Sequence, residues 1–151
     1  MKINFYILFI TFFFISIASA NENDYYLILK NNKVNVRYGP GFNYQIKYIY
    51  KKKNLPIKVI DKKENFRRII DFKKNSGWIH ISQLKKGKSL ILLKDQILFK
   101  KPTKYSKPLF KIAKGRLLLI KKCNKKWCKV KTENYTGWIK NEKVWGAFKI
   151  N

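Results

Sequence analysis

The sequence predicts an all-β protein, two small β-barrels in tandem behind an N-terminal export signal. Short apolar, β-branched and aromatic stretches recur along residues 25–148, separated by turn-forming breaks, which is the pattern of small all-β barrels. Gly77-Trp78-Ile79 returns as Gly137-Trp138-Ile139, and the residues leading to each copy align with small gaps. Beyond the first twenty residues no window carries a helical period; a single turn near Ser82-Gln83-Leu84 is the most expected. The chain therefore divides into a signal at residues 1–20, a first module at 21–86 and a second at 87–151.

The signal reads from its own chemistry. Lys2 is a minimal positive region, residues 3–17 form an apolar run relieved only by Asn4, Thr11 and Ser16, and Ala18-Ser19-Ala20 offers the small residues a signal peptidase cuts after. An uncleaved membrane anchor is the alternative, because the run falls just short of the ~20 residues that span a bilayer. The small residues favour cleavage, and no cysteine near the cut would accept a lipid. The expected location is the periplasm or the extracellular space, with no membrane span after cleavage.

In the first module, strands are expected at Tyr25–Leu29, Val34–Tyr38, Ile46–Tyr50, Ile57–Ile60, Phe66–Phe72 and Trp78–Ile81. Gly39-Pro40-Gly41 reads as a sharp turn, Pro fixing φ and the glycines permitting positive φ on either side. Gly77 and Gly137 open the repeated strand. Alternation along Gly77-Trp78-Ile79-His80-Ile81 places Ile79 and Ile81 on the core face and Trp78 and His80 on the outer one, where Trp138 and Lys140 are their equivalents. Trp78 either contacts a ligand or lids a small core. Arg37 either binds a partner's carboxylate or pairs internally with Asp61 or Asp71.

The second module repeats the pattern at Leu90–Leu93, Ile97–Phe99, Leu109–Ile112, Leu117–Ile120, Trp127–Lys131, Gly137–Lys140 and Val144–Phe148. It adds Cys123 and Cys128, the two cysteines of the chain, across an expected four-residue hairpin loop. A disulfide follows, persisting in an oxidising compartment and contributing on the order of 2 kcal/mol by closing a short loop. The first module has Lys62 and Arg67 at the matching positions, so only the second is stapled.

Charge narrows the partners. Removing the signal takes Lys2 and no acid, leaving 34 basic residues against 8 acidic ones, a charge of +26. Both modules share it: residues 21–86 hold 16 bases and 5 acids, residues 87–151 hold 18 and 3. A coding bias toward lysine would not deplete the acids. Such a chain repels itself and expects an anionic neighbour, although single runs such as Lys51-Lys52-Lys53 read as solvated turns that guard strand edges.

Catalytic chemistry is hard to find. His80, the lone histidine, sits between two isoleucines of a strand and reads as structural rather than as a base for Ser or Cys. The carboxylates are scattered among lysines, unlike a glycosidase pair. Zinc would need ligands beyond the two cysteines and His80, and Gly39-Pro40-Gly41 leads into a strand, not into a phosphate-binding helix. The reading is a non-enzyme with no cofactor and no metal.

Asn35-Val36-Arg37 with Gly39-Pro40-Gly41, the strand Leu55–Ile60, Phe66-Arg67-Arg68-Ile69 and Gly77-Trp78-Ile79-His80 resemble the bacterial SH3 domain. The second half resembles the second module of the tandem exported version, with Leu98-Phe99-Lys100-Lys101-Pro102 in place of the usual Asn-Val-Arg motif. The resemblance implies a small barrel in each half and an envelope role, often recognition of peptidoglycan or its peptide stems. A retained groove would lie in the first module around Asn35, Arg37, Tyr38, Trp78 and His80; the change at 98–102 puts a second site in doubt. The expected partners are peptidoglycan or an envelope protein, with anionic envelope polymers held by charge. Two alternatives stand beside this: non-specific binding of nucleic acid or anionic lipid, the nucleic acid disfavoured by export, and activation of a separate cell-wall hydrolase.

Overall fold

The computed structural model describes residues 25–146; the expected export signal and the expected end of the last strand at Phe148 lie outside the described residues. The first module consists of β1 (Tyr25–Leu29), β2 (Val34–Arg37), β3 (Ile46–Tyr50), β4 (Pro56–Lys63), β5 (Phe66–Ile70), β6 (Ser76–His80), a 3₁₀ turn (Ile81–Gln83) and β7 (Leu84–Lys85). The second consists of β8 (Ser89–Leu92), β9 (Gln96–Phe99), β10 (Pro108–Ile112), β11 (Leu117–Cys123), β12 (Trp127–Thr132), β13 (Tyr135–Lys140) and β14 (Val144–Gly146). Each is one seven-stranded antiparallel sheet, ordered β3-β2-β6-β5-β4-β1-β7 and β10-β9-β13-β12-β11-β8-β14. Strand for strand, the two orders are the same.

The repeat extends to the irregularities. β4 carries a bulge between Val59 and Asp61, and β11 carries one between Ile120 and Lys122; β2 and β9 meet their partners with the same one-residue slip. Bulges bend a strand, so each sheet curls round its own core. The curl is tied by a glutamine in each module. Asn35 N–H of β2 donates to Gln83 Oε1 next to β7, and Gln96 Nε2 of β9 donates to the Glu142 carbonyl next to β14.

The alternating apolar residues form two cores, one around Leu29, Val34, Val36, Ile57, Ile69 and Ile79 and one around Leu90, Leu92, Leu98, Leu118, Val130 and Ile139. Ile79 is fully buried as expected, but Ile81 is 37% exposed. The 3₁₀ turn begins at Ile81 and ends the strand alternation that would have turned it inward. That turn lies one residue ahead of its sequence-predicted position, and the two-residue strand Leu84–Lys85 behind it was too short to read from the pattern.

The modules pack on each other. Ile91 of β8 is buried in the first module's core, with Leu117 partly buried beside it, a burial worth about 1.5–3 kcal/mol. Ser89 Oγ donates to the Asn54 carbonyl at 2.7 Å. Trp145 of β14 meets Tyr26 edge to face at 5.4 Å, and its Nε1 donates to the Pro56 carbonyl.

One feature of the first core has no copy in the second. Asp71 is buried, and its carboxylate accepts four hydrogen bonds: from Tyr50 Oη, Asn75 Nδ2 and the backbone N–H groups of Lys73 and Asn75. Burial, followed by the hydrogen bond with Tyr48, raises the Tyr50 hydroxyl far above the ordinary tyrosine range. In the second module the registers place Ile112 where Tyr50 stands and Thr132 where Asp71 stands.

Candidate functional site

The outer face of the β2-β6-β5 surface brings the expected residues together in two rows. Arg37, Trp78 and Arg68 lie opposite one another across β2, β6 and β5. Two residues along, His80 of β6 faces Phe66 of β5, and Phe42 folds over both from the β2–β3 loop. The rings of Phe42, Phe66 and His80 lie 5.0–5.3 Å apart. Phe66 is 5% exposed, and Phe42, 65% exposed, lies against it. The sequence reading missed both phenylalanines. Phe42 stood one residue past the Gly-Pro-Gly turn, where nothing local says which way the loop folds.

Arg37 is not paired with Asp61 or Asp71. Its Nη1 donates to the loop carbonyls of Tyr44 at 2.6 Å and Phe42 at 3.3 Å, and the guanidinium lies 5.5 Å from the Phe42 ring centre. Asp61 accepts from the backbone N–H of Lys62, and Asp71 is saturated as described. Arg37 therefore holds the loop that presents Phe42. His80 Nδ1 accepts from the Ser82 backbone N–H, capping the 3₁₀ turn, with Ser82 Oγ 2.7 Å away. Trp78 is half-buried in the middle of the face. Tyr38 is exposed at its edge with Lys47 Nζ over its ring, while Asn35 contributes its backbone N–H to closing the sheet.

The glycines of the turn act by size and not by φ. Among the described residues the left-handed positions are Asn54, Glu64, Lys74, Glu133, Lys143 and Gly115; Gly39 and Gly41 are absent from that set, which corrects the expectation. A β-carbon on Gly39 would collide with the Tyr44 ring. Tyr44 matches Ser106 in the second module, where Lys101 replaces Gly39 and its N–H donates to Ser106 Oγ. A small residue at one position allows a large one at the other.

That exchange preserves the loop backbone. Tyr38 N–H to the Gln45 carbonyl (3.2 Å) is repeated as Lys100 to Lys107 (3.1 Å), and Tyr44 to Gly41 (3.3 Å) as Ser106 to Thr103 (3.2 Å). Together with the registers this equates Phe42 with Lys104, Arg37 with Phe99, Phe66 with Trp127 and His80 with Lys140. The disulfide joins Cys123 and Cys128 as directly paired residues, Cα atoms 4.1 Å apart, and Lys62 faces Arg67 at the matching pair of the first module.

The fold is thus a tandem of two like-ordered small β modules with an aromatic shelf on the first. A model of the bacterial SH3 domain matches residues 30–86 and 94–146, and the chain belongs to that family. Similar solved structures include NlpC2 and NlpC1 of Trichomonas vaginalis, each 12% identical, covering 81% and 84% of this chain and 48% and 47% of theirs, with TM-scores of 0.37 and 0.38. A NlpC/P60 family protein of Bacillus cereus is 11% identical over 81% of this chain and 57% of its own, TM-score 0.37. The chain spans about half the length of these proteins. No curated protein sequence matches it.

Proposed function

We propose that the protein is a non-catalytic, exported binding protein of the cell envelope, whose first module recognises the peptide stems of peptidoglycan or an extended segment of an envelope protein. The observation that carries this is the shelf itself: an exposed Phe42 seated on Phe66 and His80, with Trp78, Arg37 and Arg68 beside it. An apolar side chain fits the ring, and a stem carboxylate fits the arginines, which bind such groups in a planar fork. The charge of the whole chain draws it to an anionic matrix. The disulfide accords with an oxidising compartment. His80 supports a non-catalytic role, because its Nδ1 is occupied in capping a local turn and its ring packs against two phenylalanines.

Co-sedimentation of the disulfide-bonded protein with purified sacculi across a salt series tests the reading. Salt removes the screened, charge-driven part of binding. Retention at high salt, lost in Phe42→Ala and Trp78→Ala variants that keep the native circular dichroism, is the expected result. Complete release of the parent protein at moderate salt overturns recognition by the shelf.

A further inference from the structure

The second module keeps the loop of the first while exchanging its side chains, and the result is a cleft of about 490 Å³ with a different chemistry. Lys104 replaces the exposed phenylalanine, Lys140 replaces the histidine, and the tip of the β11–β12 hairpin adds Lys125 and Lys126. Four lysines from three separate segments line one concavity. Its aromatic surfaces are Trp127, held edge to face by Phe99 at 5.7 Å, and Tyr105, which is 85% exposed with Lys104 Nζ over its ring.

We propose that this cleft is a binding site for a phosphate group carried on a sugar. The site is built before any ligand arrives. Asn124 Oδ1 accepts from the N–H groups of Lys126 and Trp127. Asn141 N–H donates to the Lys126 carbonyl at 2.8 Å, tying the hairpin tip to the loop after β13. The Cys123–Cys128 disulfide closes the base of the same hairpin. Such fixing lowers the ordering cost of binding. The one acid at the rim, Glu142, is held below the ordinary carboxylate range by its hydrogen bond with Lys94. Glu142 lies 3.9 Å from Lys140 Nζ, its partner among the four lysines.

Lysines bind phosphate as point charges, and the Trp127 and Tyr105 rings suit the apolar face of a pyranose, each presenting an apolar body with a polar tip. Thr103 and Asn141 line the same cleft and can meet hydroxyls. The disulfide accords with an oxidising compartment, and the exported location proposed above, where nucleic acid is scarce, favours a sugar over a nucleic acid. This inference does not rest on the first module's ligand.

The test is a two-dimensional amide NMR titration of the disulfide-bonded protein with glucosamine 6-phosphate, glucosamine and inorganic phosphate. The expected result is a saturable shift centred on Lys104, Lys125, Lys126, Trp127 and Lys140, absent with glucosamine and weaker with inorganic phosphate. Affinity falls about tenfold or more in Lys126→Ala/Lys140→Ala and stays unchanged in Lys62→Ala/Lys63→Ala, which loses the same charge from the first module. Shifts spread over both modules, equal losses in the two pairs, equal affinity for inorganic phosphate, or tighter binding of oligothymidylate in the cleft would each overturn it. A phosphorylated disaccharide, free or as the headgroup of a glycolipid in phosphatidylcholine vesicles, separates the sources. Binding to both supports a membrane glycolipid, binding to the free sugar alone supports a soluble glycan, and binding to neither overturns the proposal.

Discussion

The two modules share strand order, bulges and loop backbone, yet they hold themselves together and present themselves differently. The first buries a polar cluster around Asp71 and shows an aromatic shelf; the second has an apolar residue and a threonine in place of that cluster, a disulfide, and a lysine-lined cleft. Backbone geometry is therefore set by few positions. The apolar alternation, the glycine at the head of the repeated strand and the proline of the loop are common to both copies, while the residues between them are free to change chemistry. Gly77 and Gly137 show why such a position is fixed: an added β-carbon would run into Val36 in one copy and Leu98 in the other.

The largest effect that would sharpen this contrast is at Asp71. Asp71→Ala strands four donors in a buried setting and is expected to cost about 3 kcal/mol or more. Thr132→Ala, at the equivalent place, is expected to cost less than about 1 kcal/mol. Urea unfolding midpoints measure both, and similar losses would show that the polar cluster is not the distinguishing element of the first module.

Opening the disulfide comes next. Cys123→Ser/Cys128→Ser is expected to lower stability by about 2 kcal/mol and to broaden the amide signals of Lys125 and Lys126, leaving the Phe42 shelf unaltered. Equal disturbance of both modules would mean that the packing of Ile91 and Trp145 across the boundary, and not the staple, sets the hairpin's order.

The smallest effect is alkaline. Neutral Tyr50 is the form the fold favours, since burial raises its hydroxyl. Its contribution is thus fully present below the unfolded value of about 10 and lost as pH rises from there. The parent protein is expected to lose at most about 1 kcal/mol per pH unit from this group above pH ~10, and Tyr50→Phe to flatten that slope. Ile112 in the second module has nothing to titrate. An unchanged slope in the variant would remove Tyr50 from the account.

Much of this was legible in the residues. The strands, the repeat and the cysteine pairing follow from local alternation, turn composition and spacing. Ile79 lay on the core face because period-two alternation holds along a regular strand, and Ile81 escaped it because a 3₁₀ turn intervened. The role of Arg37 was not legible, because its acceptors are backbone carbonyls of a loop, and carbonyls leave no mark on a sequence. Phe66 was hidden for a related reason: an aromatic residue on the outer face of a strand looks solvent-exposed until a loop, here the one carrying Phe42, folds over it.

By itself, then, the sequence determined which residues alternate, where the chain turns, that the pattern occurs twice and that the net charge is strongly positive. Only the tertiary structure decided which side chains from separate turns meet: Phe42 over His80 in one module, Lys104 near Lys125, Lys126 and Lys140 in the other. Alternation and turn propensity act over a few neighbouring residues, whereas a site is assembled by strand register and loop folding across the whole sheet. The same backbone, so assembled, brings together an aromatic shelf or a cationic cleft according to the few residues placed on it.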